Sequence, residues 1–137
     1  MNKEKQFEIA AAAVEELEKQ HHDFMAIFEA LEEPMLNGAE FQIVDGELEV
    51  TCLGKFLKAN HRLIAVDGYL DCLEYPFIAK EQCEDVHVWS MFLKGRRLYR
   101  DSETKDLIWD TSDRYTPRLV AADLASKLLA SRIFSPK

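Results

Sequence analysis

Apolar side chains recur every three or four residues along the first third of the chain, which is the period of an α-helix. The repeating positions are Phe7, Ala10, Val14, Leu17, His21, Phe24, Phe28, Leu31 and Met35. This pattern predicts one long helix from about residue 3 to residue 36, where Pro34 and Gly38 favour a stop. Helix propensity is lowest at residues 20–23, and the pattern leaves open whether the helix bends there.

Such a helix is long for a chain of 137 residues. An unbroken helix from Asn2 to Glu33 would measure about 45 Å, whereas a domain of this length has a radius of gyration of about 14 Å. It therefore has to project, bend or pair with a second molecule, and we predict a homodimer. The predicted interface consists of Phe7, Val14, Leu17, His21, Phe24, Phe28 and Leu31.

After Glu40 the pattern changes to the alternation that is typical of half-buried strands. Asp45 with Gly46, and Asp67 with Gly68, are residue pairs favoured in two-residue hairpin turns, and Lys94 with Gly95 marks a third turn. We expect Gly54 to form a bulge and Asn60 to turn the chain. The predicted strands cover residues 41–44, 48–57, 61–66, 69–78, 86–93, 96–100 and 107–109, with Pro76 near the end of an edge strand and a polar turn at residues 102–104.

A second helix is predicted near the C-terminus. It opens at Thr116 and Pro117, and Val120, Leu124 and Leu128 form its apolar stripe. Short connections between neighbouring strands favour an antiparallel meander. The predicted fold is therefore a single α+β domain over residues 1–137: a long N-terminal helix, a curled antiparallel meander of six or seven strands, and a shorter C-terminal helix packed on the sheet.

The composition fits a soluble protein. Hydrophobic residues make up 47% of the chain, which is enough to bury a core. No run of about eighteen apolar residues predicts a membrane span, and the N-terminus lacks the order of charged and apolar residues seen in a signal peptide. Three cysteines fit no common zinc or disulfide framework and suit a reducing compartment. We therefore expect a cytoplasmic location, no cofactor and no metal.

The negative charge is concentrated in the first helix. The first forty residues contain ten acidic and three basic side chains and so carry −7 of the total charge of −8. This distribution disfavours nucleic acid as a partner and favours either a basic protein or simple solubility. The one basic cluster contains Lys94, Arg96, Arg97 and Arg100, and it lies where charged residues protect a hairpin tip and a sheet edge. A second role for this cluster is contact with the acidic helix of another copy or with an acidic partner, and single-stranded nucleic acid is the less favoured alternative.

The histidines and cysteines give two weak chemical signals. His21 and His22 are adjacent on a helix and point about 100° apart, so they cannot readily bind one metal ion. On the apolar seam, three roles are open to His21: it sets the register of a helix pair, it hydrogen-bonds to a neighbouring backbone, or it repels its copy across a twofold axis when protonated. Cys83 and His87, with Cys72 further away, supply at most part of a metal or thiol site. We predict no catalytic residues from these positions.

Two classes of function remain. The favoured one is a non-enzymatic protein-interaction module, a small acidic homodimer acting as an adaptor, a chaperone or an inhibitor of the immunity type. The alternative is a small-molecule-binding or hydrolytic roll with a pocket between the curled sheet and the helices. The residues expected to line that pocket are His61, Tyr69, His87, Trp89 and Trp109.

Overall fold

The chain begins and ends in a helix, and an antiparallel sheet lies between the two. The structure is a computed structural model that describes residues 2–33, 35–100 and 107–135. Its elements are α1 (Lys3–Glu29), β1 (Met35–Leu36), β2 (Ala39–Val44), β3 (Glu47–Cys52), β4 (Lys55–Ala59), β5 (Arg62–Val66), β6 (Tyr69–Glu81), β7 (Glu84–Lys94), β8 (Arg97–Tyr99), β9 (Leu107–Asp110) and α2 (Thr116–Ala130). The predicted α+β fold is confirmed, but the sheet has nine strands among the described residues rather than the predicted six or seven. The predicted turn at residues 102–104 lies outside them.

The strands follow each other as a meander because tight turns connect most of them. The order across the sheet is β1-β2-β3-β4-β6-β7-β8-β9, and β5 pairs with β6 alone. Asp45 and Gly46 have φ angles of 52° and 77°, which is the type I′ geometry that the sequence predicts. Leu53 and Gly54 have the same geometry (51° and 79°), so Gly54 forms a turn and the predicted bulge is wrong.

The predicted end of the first helix is also wrong. α1 starts as expected, with the Asn2 side chain accepting a 2.8 Å hydrogen bond from the Lys5 amide, but it ends at Glu29. Leu36 instead pairs with Ala39 in the β1–β2 hairpin. The residues between them, Asn37 and Gly38, have φ angles of 50° and 81° and form a hairpin turn rather than a helix cap. Pro34 lies outside the described residues.

β4 and β5 form one interrupted strand along β6. Lys58 lies opposite Ile78 and Arg62 lies opposite Glu74, so the register is the same on both sides of the interruption. Asn60 therefore does not turn the chain back as predicted. This register places the interruption opposite Pro76, which has no N–H to donate. Pro76 lies inside a central strand, not near the end of an edge strand as predicted, and the ladder is broken next to it.

The core fills the concave face of the sheet. α1 packs on β2 and β6, while α2 contacts β7 and β9 and also β1 and β3. α2 therefore touches both end strands, which requires the sheet to curl around the helices. Its stripe residues Val120, Leu124 and Leu128 are fully buried, as are Tyr75 and Phe77 of β6. The predicted packing of the C-terminal helix on the sheet is confirmed.

Candidate functional site

The first half of α1 extends beyond the body of the protein. From Leu17 to Phe28 the apolar seam is buried against the sheet, whereas residues 3–16 are exposed or half-buried. We call residues 3–16 the arm. At 1.5 Å per residue these fourteen residues measure about 21 Å. The long helix therefore projects, which is one of the three outcomes that the sequence allows.

The arm exposes large apolar side chains. The exposed fraction is 73% for Phe7, 39% for Ile9 and 36% for Val14. Residues 9–14 are all apolar, so this part of the helix has no polar face. A helix that is apolar on all sides is normally buried. The arm is therefore a candidate interaction surface.

The structure divides the predicted interface into two groups. Leu17, His21, Phe24 and Phe28 are buried within their own subunit, and Leu31 is half-buried against the same core. Phe7 and Val14 remain exposed on the arm. An interface formed by α1 would therefore use the first half of the seam, because the second half already packs on β2 and β6.

Two contacts show where the arm leaves the sheet. The Gly95 amide, in the β7–β8 turn, donates a 3.0 Å hydrogen bond to Gln20 Oε1. His21 Nε2 donates a 2.7 Å hydrogen bond to the Gly46 carbonyl, in the β2–β3 turn. The arm starts just before these residues and therefore projects from the end of the sheet that carries both turns.

Five side chains from four elements meet at the base of the arm. We call them the histidine cluster: Glu18 and His21 from α1, Glu47 from β3, His61 from the β4–β5 interruption and Tyr75 from β6. The His21 and His61 rings are stacked, with centroids 3.6 Å apart and an interplanar angle of 14°. In the sequence His21 stands alone on the apolar seam and nothing indicates the cluster, because its members lie as many as 57 positions apart, from Glu18 to Tyr75.

His21 is neutral in this arrangement. A carbonyl can only accept, so the hydrogen bond to Gly46 places the proton on Nε2 and leaves Nδ1 to accept from the Tyr75 hydroxyl, 2.8 Å away. Burial lowers the pKa of His21, and burial raises the pKa of Tyr75 well above its usual value. Both shifts favour the uncharged forms that these two hydrogen bonds need.

His61 faces a carboxylate at each ring nitrogen. Its Nδ1 lies 2.6 Å from Glu47 Oε1, and its Nε2 lies 3.0 Å from Glu18 Oε1. Two acceptors are satisfied together only when both nitrogens donate, which is the arrangement of the imidazolium ion. The His61 amide also donates to Glu47 Oε2 at 3.0 Å. Glu47 therefore fixes both the backbone and the ring at the strand interruption.

Three of these side chains match a metal centre in composition but not in geometry. One ligand atom each from His21, Glu47 and His61 lie within 4.8 Å of one another, a set suited to a divalent transition metal. However, an imidazole nitrogen binds a metal through a lone pair that lies in the plane of its ring. Because the His21 and His61 rings are stacked, their lone pairs lie in two nearly parallel planes. One ion cannot lie in both planes. The cluster is therefore better described as a hydrogen-bonded network that fixes α1 to the sheet, and among the described residues no buried polar side-chain atom lacks a partner.

The residues predicted to line a pocket lie on different elements and faces. His61 belongs to the histidine cluster, and Tyr69 is exposed at the start of β6. His87 is exposed and forms a 2.7 Å hydrogen bond with Ser90, while Trp89 is buried and stacks on Phe77. Trp109 is 40% exposed on β9. The structure does not bring these five side chains together, and the pocket stays a prediction.

A cleft of about 720 Å³ lies elsewhere, between the end of α1 and the start of α2. Leu31, Glu32, Tyr115 and Arg118 contribute to its lining. It is lined by residues more than eighty positions apart in sequence, and none of the predicted pocket residues borders it. The cleft forms where the end of one helix meets the start of the other, and local patterns do not reveal such a meeting.

The remaining candidate residues from the sequence, the cysteines and the basic cluster, either lie apart from one another or already form ion pairs. Cys72 is buried near the start of β6 and Cys83 is exposed in the β6–β7 turn, beyond the other end of this strand, so the two thiols do not share a site. Within the basic cluster, Lys94 binds Asp71 at 2.8 Å and Arg100 binds Asp123 at 3.0 Å. These two cations therefore already have partners within the chain.

Comparison with known proteins gives no family. No protein-family model, no curated protein and no solved structure matches the chain significantly. The described helices include none that is long and apolar enough to cross a membrane. The fold and the site define an α+β domain with a curled antiparallel sheet, a filled concave face and a projecting helical arm.

Proposed function

We propose that the protein is a protein-interaction module whose working form is a homodimer paired through the arm. The observation that carries this proposal is the exposure of the arm's apolar residues on a body whose core is already filled. In this proposal the protein acts as an adaptor, a chaperone or an inhibitor of the immunity type, and it has no catalytic role.

The lack of tertiary contacts along the arm supports a partner. In proteins most helical stability comes from the packing of an apolar face against other elements rather than from intrinsic propensity. The arm has fourteen residues and is anchored at one end only. A second helix packed along it would supply the missing tertiary contacts. Pairing with a copy of itself provides that helix without requiring another protein.

The exposed area sets the scale of the stabilisation. A phenylalanine side chain offers about 200 Å². Since Phe7 is 73% exposed, its burial would remove about 150 Å² from water and contribute at most about 4 kcal/mol per copy. Association costs about 4 to 15 kcal/mol in lost motion. Phe7 from two copies therefore offsets much of this cost, and the other apolar residues of the arm have to supply the rest.

The test is the molar mass in solution, measured by sedimentation equilibrium over a wide range of protein concentration. We expect a concentration-dependent dimer for the wild-type chain and a monomer for Phe7→Glu and for Val14→Glu. Circular dichroism checks that these variants keep their sheet and melt like the wild-type monomer, because neither side chain lies in the core.

The matched control is Leu129→Glu, which makes the same kind of change on α2, where Leu129 is 61% exposed. This variant should still form the dimer. A wild-type chain that stays monomeric at the highest concentration would contradict the proposal. A dimer that survives both arm substitutions would place the interface elsewhere and would also overturn the proposal.

A further inference from the structure

One face of α1 has the same chemical order when it is followed from either end. Its residues are Lys3, Phe7, Ala10, Ala11, Val14 and Glu18. At 100° per residue, these positions lie within a stripe about 100° wide. From the two ends inward, the stripe has a charged residue, then a large apolar residue, then alanine. The two end charges have opposite signs.

We infer that two copies pair arm to arm in antiparallel orientation, with the twofold axis between Ala10 and Ala11. This inference rests on the proposed function and specifies its geometry. In this register Lys3 meets Glu18 of the second copy, Phe7 meets Val14, and Ala10 meets Ala11. Each contact occurs twice, as a twofold interface requires.

The sizes of the side chains suit this register. Alanine at the centre lets the two helix backbones approach closely, and it is the residue that disturbs a helix least. Phe7 and Val14 then lie on either side of the alanines, where each large side chain of one copy meets the smaller one of the other. Both are exposed in the single chain, so they are free for this contact.

The charges select the antiparallel orientation. A parallel pair would place Lys3 beside Lys3 and Glu18 beside Glu18, and like charges in contact disfavour a complex. The antiparallel pair converts both contacts into ion pairs. The Glu18 side chain is 47% exposed and is held by His61, whose Nε2 lies 3.0 and 3.1 Å from its two oxygens. Glu18 is therefore positioned at the base of the arm and still accessible to a cation.

Disulfide trapping tests the register directly. In a Cys83→Ser background, which removes the exposed native thiol, Phe7→Cys and Val14→Cys chains are mixed and oxidised. The antiparallel register brings the two new cysteines together in the mixed dimer, and the second Phe7–Val14 contact stays intact. We expect a disulfide in the mixture and little in either variant alone, because identical positions are offset by seven residues, about 10 Å, beyond the reach of a disulfide.

Charge reversal gives an independent readout. We expect Lys3→Glu alone to weaken the dimer about tenfold, since each of two ion pairs becomes a repulsion. Lys3→Gln removes the ion pairs without adding a repulsion, so it should weaken the dimer less than Lys3→Glu. Lys5→Glu makes the same change of charge on the opposite face of α1, and it should leave the dissociation constant within about twofold.

The outcomes separate the two proposals. A dimer that forms disulfides between two copies of residue 7, or between two copies of residue 14, would overturn the antiparallel register and leave the arm as the interface. A Lys3→Glu chain that dimerises as well as the wild type would also overturn the register. A wild-type chain that forms no dimer removes both the register and the proposed function.

Discussion

Substitution by alanine should change the stability of the fold at Phe24 but not at Phe7, although both residues lie on α1. Phe24 is 1% exposed, and its ring meets those of Phe28 and Tyr75 edge to face at centroid distances of 5.3 Å. Removing about 200 Å² of buried apolar area costs about 5 kcal/mol at 25 cal/mol per Å². Measured Phe→Ala substitutions in cores cost about 3 to 5 kcal/mol. We therefore expect Phe24→Ala to lower the free energy of unfolding by about 4 kcal/mol.

Phe7→Ala should leave the stability of the single chain almost unchanged. Phe7 is 73% exposed and alanine favours the helix, so the expected change is within about 0.5 kcal/mol. The same substitution should abolish most of the dimer, which Phe24→Ala affects only through unfolding.

Urea unfolding followed by circular dichroism measures both effects, provided that the protein concentration is low enough for the wild type to be monomeric. A cost below about 1.5 kcal/mol for Phe24→Ala would refute the packing of α1 on the sheet. A loss for Phe7→Ala as large as that for Phe24→Ala would show that the arm is part of the core.

Two further predictions follow from the cluster and the turns. Because burial lowers the pKa of His21, the unfolded chain takes up a proton at this residue first as the pH falls below the ordinary value of 6.5, so the contribution of His21 to the free energy of unfolding should fall from pH 7 to pH 5. His21→Gln should remove this contribution in thermal melts, and a pH dependence identical to that of the wild type would refute this reasoning. Gln82 and Cys83 form a type I′ turn with φ angles of 50° and 66°, so Gln82→Asn with Cys83→Gly should stabilise the protein by about 1 kcal/mol in urea unfolding. Gly46→Ala, at a φ of 77°, is the opposite control and should destabilise it.

Local chemistry made much of the fold predictable. Asp45 with Gly46 and Asp67 with Gly68 form hairpin turns as expected, because few residue pairs tolerate two successive positive φ angles. Thr116 and Pro117 mark the start of α2 for a similarly local reason, the fixed φ of proline in the first turn. These signals depend only on residues that are neighbours in the chain, so one sequence is enough to predict these turns and this helix start.

The errors came from signals that have two local interpretations. Asn37 with Gly38 suits both a helix end and a hairpin, and the pairing of Leu36 with Ala39 decides between them. Pro76 usually indicates a strand edge. Here a central strand accommodates it, because the neighbouring strand is interrupted opposite that position. In both cases the deciding partner lies on another strand.

The candidate site was predictable only in part, for a related reason. The periodicity of α1 identified a single apolar seam but carried no information about where the sheet below it ends. The structure places that boundary between Val14, which is 36% exposed, and Leu17, which is 6% exposed. The partners of His21 in the cluster come from β3, the β4–β5 interruption and β6 as well as α1 itself. No spacing within one element predicts such a meeting.

The position of the histidine cluster links the body to the arm. Apolar contacts have no direction and specify the position of a helix through shape alone, whereas a buried histidine bonded at both nitrogens has one satisfied position. His21 therefore fixes the position of α1 along the sheet, and so fixes how much of the helix projects. Glu18 belongs both to the histidine cluster and to the stripe that runs from Lys3 to Glu18, and its contact with His61 sets the base of the arm. The polar residue on the seam thus determines which apolar residues stay exposed for a partner.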